Sequence, residues 1–183
     1  VTAGRKTVRR AVPGDEPVLR ALRLEAMTEA PEAFASTYER ELARTADDWR
    51  RWLSPGVTLL LEEAGQPLGL VAGMHDDADP GVAYLMAMWV HPALRGCGAA
   101  DALVAAHLGW ATETGAQLVR LDVMAANVRA RRLYERHGFH LTGHETVLET
   151  DGRVELRMER PVGPGASRRP SGARESPSPE ART

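Results

Sequence analysis

Cysteine is almost missing from this 183-residue chain: Cys97 stands alone, so neither an internal disulfide nor a cysteine-built zinc site can form. A reducing compartment suits that composition. His75, His91, His107, His137, His140 and His144 show no metal-ligand spacing, and no metal is expected. Charge of one sign is lacking too. The formal net charge is −2, which leaves no basic footprint for nucleic acid, and no nucleic-acid partner is expected. No apolar run reaches the roughly 18 to 20 residues of a membrane span, and the basic residues near the start are not followed by the apolar stretch of a secretion signal. No membrane partner and a cytoplasmic location are therefore the expectations. What the chain does have is 43% hydrophobic residues, enough for the core of one domain.

From Pro161 onward Pro, Ser, Gly, Ala and Arg prevail and large apolar side chains nearly vanish, a composition that cannot offset the entropy of ordering. Residues 161–183 are expected to form a disordered tail, residues 1–5 a frayed end, and residues 6–160 one folded domain.

Within that domain Lys6 to Val12 reads as a strand, and Asp15 as the N-cap of a helix carrying Leu19, Leu22 and Ala26 and ending at Pro31. A second helix starts near Thr45 with Trp49, Trp52 and Leu53 on its buried side. Val57 to Leu61 and Leu68 to Met74 read as a hairpin across Glu63 to Gln66, and Val82 to Val90 as a strand stopped by Pro92. A helix follows from Gly98 to Thr114, with Gly115 as its stop, then a strand over Leu118 to Val123. Asn127 caps a helix that presents Ala130, Leu133, Tyr134 and His137 on one face and ends at Gly138. Asp151-Gly152, between Glu145 to Thr150 and Arg153 to Arg160, signals a two-residue hairpin turn. The order β-α-α-β-β-β-α-β-α-β-β describes an α/β (α+β) mixed sheet with helices on its faces.

The stretch from Trp89 to Ala100 ends a strand, turns through glycines and starts a helix, which is the arrangement that binds anions. Gly96 and Gly98 let backbone approach a ligand without a Cβ in the way, and the first N–H groups of the helix are free to donate. An ordinary strand-to-helix turn would use glycines as well. A dinucleotide site fits poorly, because Asp101 occupies the third-glycine position and Pro92 with three further residues separates the strand from Gly96.

Arg95-x-x-Gly98-x-Ala100 resembles the acetyl-CoA signature of the GNAT N-acetyltransferase superfamily, and Asn127 through Leu133-Tyr134-x-x-x-Gly138-Phe139 resembles that family's second conserved helix. The two motifs stand in the family's order, and the resemblance is strongest from Val82 to Phe139. It implies a central sheet of about seven strands flanked by about four helices, and acetyl-CoA as acyl donor. It also implies that the amides around Arg95, Gly96, Cys97, Gly98, Ala99 and Ala100 hold the pyrophosphate. Backbone groups at Met88 and Val90, with Trp89 between them, would bind the pantetheine arm and polarise the thioester, and Asn127 would approach that arm. Tyr134 would be the general acid that protonates the leaving thiolate.

The base is less defined, because the strand Val82 to Val90 lacks the glutamate that many of these enzymes carry. Asp122 matches the position of a proposed base in the bacterial ribosomal-protein alanine acetyltransferases, one methylene shorter. A structural carboxylate or relay through water are the other readings. The function implied is transfer of acetyl to a primary amine of a small molecule or peptide by direct attack through a tetrahedral intermediate. The alternative is a non-catalytic acyl-CoA-binding regulatory module. Homodimers are common in the family, and a homodimer stays open. The early helices, with Glu25, Glu29, Glu32, Glu39, Glu41, Asp47 and Asp48, either attract a cationic acceptor or are solvated faces.

Overall fold

The computed structural model describes residues 5–163. Most of the expected tail and of the frayed N-terminus lie outside the described residues. Seven strands form one sheet: β1 (Lys6–Arg10), β2 (Val57–Glu63), β3 (Gln66–His75), β4 (Val82–Val90), β5 (Leu118–Met124), β6 (His140–Val147) and β7 (Val154–Pro161). Five α-helices are described where about four were expected: α1 (Glu16–Glu29), α2 (Tyr38–Leu42), α3 (Ala46–Trp52), α4 (Ala99–Glu113) and α5 (Val128–Arg136). Single 3-10 turns occur at Pro31–Ala33 and Pro92–Leu94. Among the described residues no helix is long and apolar enough to cross a membrane.

The strand order is β1-β2-β3-β4-β5-β7-β6. All neighbours are antiparallel except β4 and β5, which α4 links as a parallel pair. Alternation along the central strands sends side chains to two cores. Leu60, Leu70 and Trp89 pack with Leu19, Leu22 and Ala26 of α1 and Trp49 of α3. Leu59, Leu61, Val71 and Leu85 face the other way, toward Leu103 and Val104 of α4 and Leu133 and Tyr134 of α5. Helices thus cover both faces, and the one parallel junction lies at the middle of the sheet.

Several local expectations are revised. The first strand stops at Arg10, because Asp15 folds back on it: its carboxylate takes Arg9 at 2.7 Å and the Val12 N–H at 2.8 Å instead of capping α1. Thr45 does cap α3, through a reciprocal box with Asp48. Asp151-Gly152 is not a two-residue turn. Leu148 N–H bonds Arg153 O at 2.8 Å, and the Asp151 carboxylate accepts the Arg153 N–H at 3.0 Å, so the loop spans the residues between them. At the other end of β7, Val162 is buried, and its N–H donates to Gln117 O at 2.8 Å.

Candidate active site

β4 and β5 run together only at their starts. Val82, Ala83 and Tyr84 pair with Leu118, Val119 and Arg120, and beyond Tyr84 the two strands part. β5 stays paired with β7 as far as Met124, and β4 with β3 as far as Val90, so the opening lies between β4 and β5 alone. The register of β4 also slips: Leu70 faces Trp89 but Ala72 faces Met86, which leaves one extra residue in β4. Ala87 in that bulge has φ 54°, a left-handed conformation that costs an L-residue about 1–2 kcal/mol. Nothing in the sequence signals it, since neither glycine nor asparagine stands there. A cavity of about 1100 Å³ fills the opening, running from the loop before α4 to Phe34 and Trp52.

At the loop end, Gly96 and Gly98 have φ 77° and 80°. A Cβ on either would meet no atom within 4 Å, so the requirement for glycine is conformational. The N–H groups from Gly96 through Asp101 find no acceptor among the described residues; the first helical bond is Ala102 N to Gly98 O at 3.0 Å. A row of donors at the positive end of a helix is a ready anion site. Cys97 turns away, its Sγ donating to Leu94 O at 2.8 Å, while Ala99 is buried and Ala100 lines the cavity.

The Arg95 side chain, which also borders the cavity, is engaged elsewhere. Its guanidinium does not extend to the cradle: Nε donates to Val90 O at 3.0 Å, Nη1 to Glu29 Oε1 at 2.8 Å, and Nη2 to the second Glu29 oxygen. Trp89 reaches that same oxygen with its indole N–H at 3.1 Å, its ring packed in the α1 core. Arg95 and Trp89 therefore brace the loop against α1. Met88 and Val90 line the opening, although the Val90 carbonyl is already taken by Arg95.

α5 supplies the opposite wall. Asn127 caps it by accepting the Ala130 N–H at 3.0 Å, and borders the cavity. Tyr134 lines the cavity too, is 6% exposed, and sets its ring edge against Phe139. Burial pushes its phenol pKa well above the ordinary value, so it holds its proton at neutral pH.

Asp122 lines the cavity but is not free. Arg157 on β7 forks onto it, Nε to Oδ1 at 2.9 Å and Nη2 to Oδ2 at 3.2 Å. Glu155, two residues along β7, borders the same cavity, and no hydrogen-bond or ion-pair partner engages its carboxylate among the described residues. Burial raises its pKa, and the charge of Asp122 raises it further. Glu155 belongs to neither of the two sequence motifs. Its signal is the alternation in β7, which puts Glu155 and Arg157 on one face opposite Met124 and Asp122.

At the far end Arg23, 3% exposed, and Arg44 both bond Glu41, which is 1% exposed and also accepts from Ser36. Burial alone would raise the Glu41 pKa, but Ser36, Arg23 and Arg44 together outweigh it and hold the carboxyl below its ordinary value. Burial lowers the Arg23 pKa. Two of the Arg23 nitrogens, Nε and Nη1, are buried without a partner, a cost of roughly 1–3 kcal/mol for each unsatisfied donor. No group of three or more His, Cys, Asp or Glu able to hold a metal occurs among the described residues.

Residues 20–139 match the Acetyltransferase (GNAT) family. The chain belongs to this family of acyltransferases. A mycothiol acetyltransferase of Thermobispora bispora is 34% identical to this GNAT chain over 129 residues, covering 68% of the chain and 43% of that protein. The chain thus spans less than half the length of that curated relative. The structure of a GCN5-related N-acetyltransferase from Kribbella flavida superposes with TM-score 0.69 at 27% identity, covering 86% of this chain and 98% of that one. The yncA protein of Salmonella typhimurium, solved with its cofactor acetyl-CoA, superposes with TM-score 0.70 at 20% identity over 97% and 99% of the two chains, a likeness of fold. The GNAT fold expected from the two motifs is the fold observed.

Proposed function

We propose that this chain is an N-acetyltransferase that carries acetyl from acetyl-CoA to the primary amine of a small molecule or peptide. The observation that carries this reading is the opening between β4 and β5 with a row of unpartnered N–H groups at its mouth. The residues fit the donor: the amides from Gly96 to Asp101 suit a diphosphate, and the parted strand edge suits an amide-bearing arm lying like an added strand. Acetyl-CoA supplies the activated acetyl group when bound.

The chain's own groups then have separate tasks. Backbone N–H groups at the β4 bulge polarise the reacting carbonyl, a kind of contact worth several kcal/mol elsewhere. Glu155 removes the proton of the attacking amine, for which a raised pKa and a free carboxylate suit it. Asp122, committed to Arg157, tunes Glu155 instead of accepting that proton itself. A nitrogen–carbon bond forms, the carbon–sulfur bond breaks, and Tyr134 gives its proton to the departing sulfur. Tyr134 and Glu155 exchange protons with solvent to return to their starting states.

Calorimetry with acetyl-CoA, followed by thiol release over a panel of amines, tests the reading. Saturable binding with amine-dependent thiol release is expected. Binding without release from any amine would favour a non-catalytic acyl-CoA-binding module, and no binding would remove both.

A further inference from the structure

The far end of the cavity holds a charge arrangement that acetyl transfer does not use. Arg23 Nη2 donates to Glu41 Oε1 at 3.2 Å and Arg44 Nε to Oε2 at 2.9 Å. Ser36 Oγ adds a third bond at 2.7 Å. Two guanidiniums on one carboxylate leave one positive charge over, with Arg23 and Glu41 almost sealed from solvent and Arg44 partly exposed.

The Arg23 guanidinium lies 5.0 Å from the centre of the Phe34 ring and 5.2 Å from that of Trp52. Ring faces attract the cation but accept none of its in-plane N–H groups. Nε and Nη1, unpartnered and buried, point to different sides of the guanidinium, so each is left with its own N–H in need of an acceptor. Arg23, Phe34, Ser36 and Trp52 all border the cavity. The loop bearing Phe34 and Ser36 is preset, because Arg153 of β7 donates to the carbonyls of Glu32 at 2.9 Å and Phe34 at 3.0 Å.

Most of the nearby carboxylates are spent within the chain, Glu32 at the cavity rim being the exception. Glu29 is spent on Arg95, Glu41 on Arg23 and Arg44, Asp47 on Arg50, and Asp48 on Arg51. Resting on the transfer reading of the same cavity, we propose that the acceptor is an amine that itself bears a carboxylate, the amino-acid class, and that Arg23, backed by Arg44, receives that carboxylate. The leftover charge and the orphaned donors are then answered by the substrate.

The test compares free L-amino acids with their α-carboxamides, using the full chain, acetyl-CoA and thiol release. At least one free acid is expected to be acetylated with kcat/KM roughly 10- to 100-fold above its amide, the worth of a charged hydrogen bond. That preference should collapse in Arg23→Lys, which keeps the charge and loses the guanidinium's spread of planar donors. It should collapse too in the triple variant Arg23→Met, Glu41→Met and Arg44→Met, which removes the carboxylate together with both of its guanidiniums and strands no charge. Amides acetylated as well as acids, or turnover of amines lacking a carboxylate with no free acid turned over, would overturn the proposal. Should acetyl-CoA bind but no amine turn over, calorimetry of the acetyl-CoA complex decides. Saturable heat from a free acid and none from its amide supports the carboxylate site and removes the transfer reading alone. No heat from any free acid at millimolar concentration overturns the site.

Discussion

The Arg95 guanidinium is forked onto the Glu29 carboxylate, Nη1 to Oε1 at 2.8 Å, which ties the loop before α4 to the last residue of α1. The side chain in the donor-binding signature is thus spent on positioning, and the anion site is left to backbone amides. Arg95→Ala should weaken acetyl-CoA binding only a few-fold by calorimetry, with a stability loss of about 1 kcal/mol, as for other partly exposed ion pairs. Gly98→Val forces φ 80° on a β-branched residue and should cost at least about tenfold in Kd. A larger loss from Arg95→Ala than from Gly98→Val would show that the guanidinium, freed from Glu29, is the true anion ligand.

Tyr134 lines the cavity while almost fully buried, and its phenol keeps its proton. Tyr134→Phe deletes one oxygen and leaves the packing on Phe139 nearly intact. Acetyl-CoA affinity should hold while kcat falls roughly 100-fold or more, in line with the loss of a general acid. Unchanged kcat on the turned-over amine would return Tyr134 to a packing role.

Glu155 and Asp122 divide the two things a base needs, a free carboxylate and a tuned one. If Glu155 takes the amine proton, the acidic limb of kcat/KM should lie above the ordinary glutamate pKa of about 4.3, because burial and then the Asp122 charge both raise it. Glu155→Gln should abolish that limb and lower kcat. Asp122→Asn should shift the limb downward, since it removes the charge that raises Glu155, while retaining much of the rate. If Asp122→Asn abolishes the limb and Glu155→Gln leaves it in place, the base is Asp122.

Much of the fold was legible because it rests on local rules. The span of β4 is as Val82 to Val90 and Pro92 suggested, and Asn127 caps α5 with its own side chain. Other features depend on contacts that no short window contains. α2 is five residues long, too short for a hydrophobic period to emerge. Arg23 stands beside Leu22 in α1 and reads as a solvated charge until Glu41, Phe34 and Trp52 fold around it. Arg95 suited an anion by type, but Glu29, distant in sequence, reaches it first. The Ala87 bulge arises from a slip between β3 and β4, which pairing alone discloses.

His107 on α4 is 0% exposed; its Nε2 donates to Tyr84 O at 3.1 Å, while Nδ1 has no partner. Burial pushes its pKa down to about 4 from an unfolded value near 6.5. Below pH 6.5 the unfolded chain takes up a proton that the folded chain refuses until about pH 4. His107 stability is therefore complete above pH 6.5, declines as pH falls through that window, and levels off below it, a loss of about 3 kcal/mol. Tyr84 is the last β4 residue paired with β5, so His107 is bonded where the two strands begin to part. His107→Gln keeps an N–H for the Tyr84 carbonyl and does not titrate. Urea unfolding of both proteins between about pH 7 and pH 4 should show the wild-type chain losing about 3 kcal/mol more than the variant. Parallel losses would mean that His107 is protonated in the folded state, with Nδ1 finding an acceptor in solution.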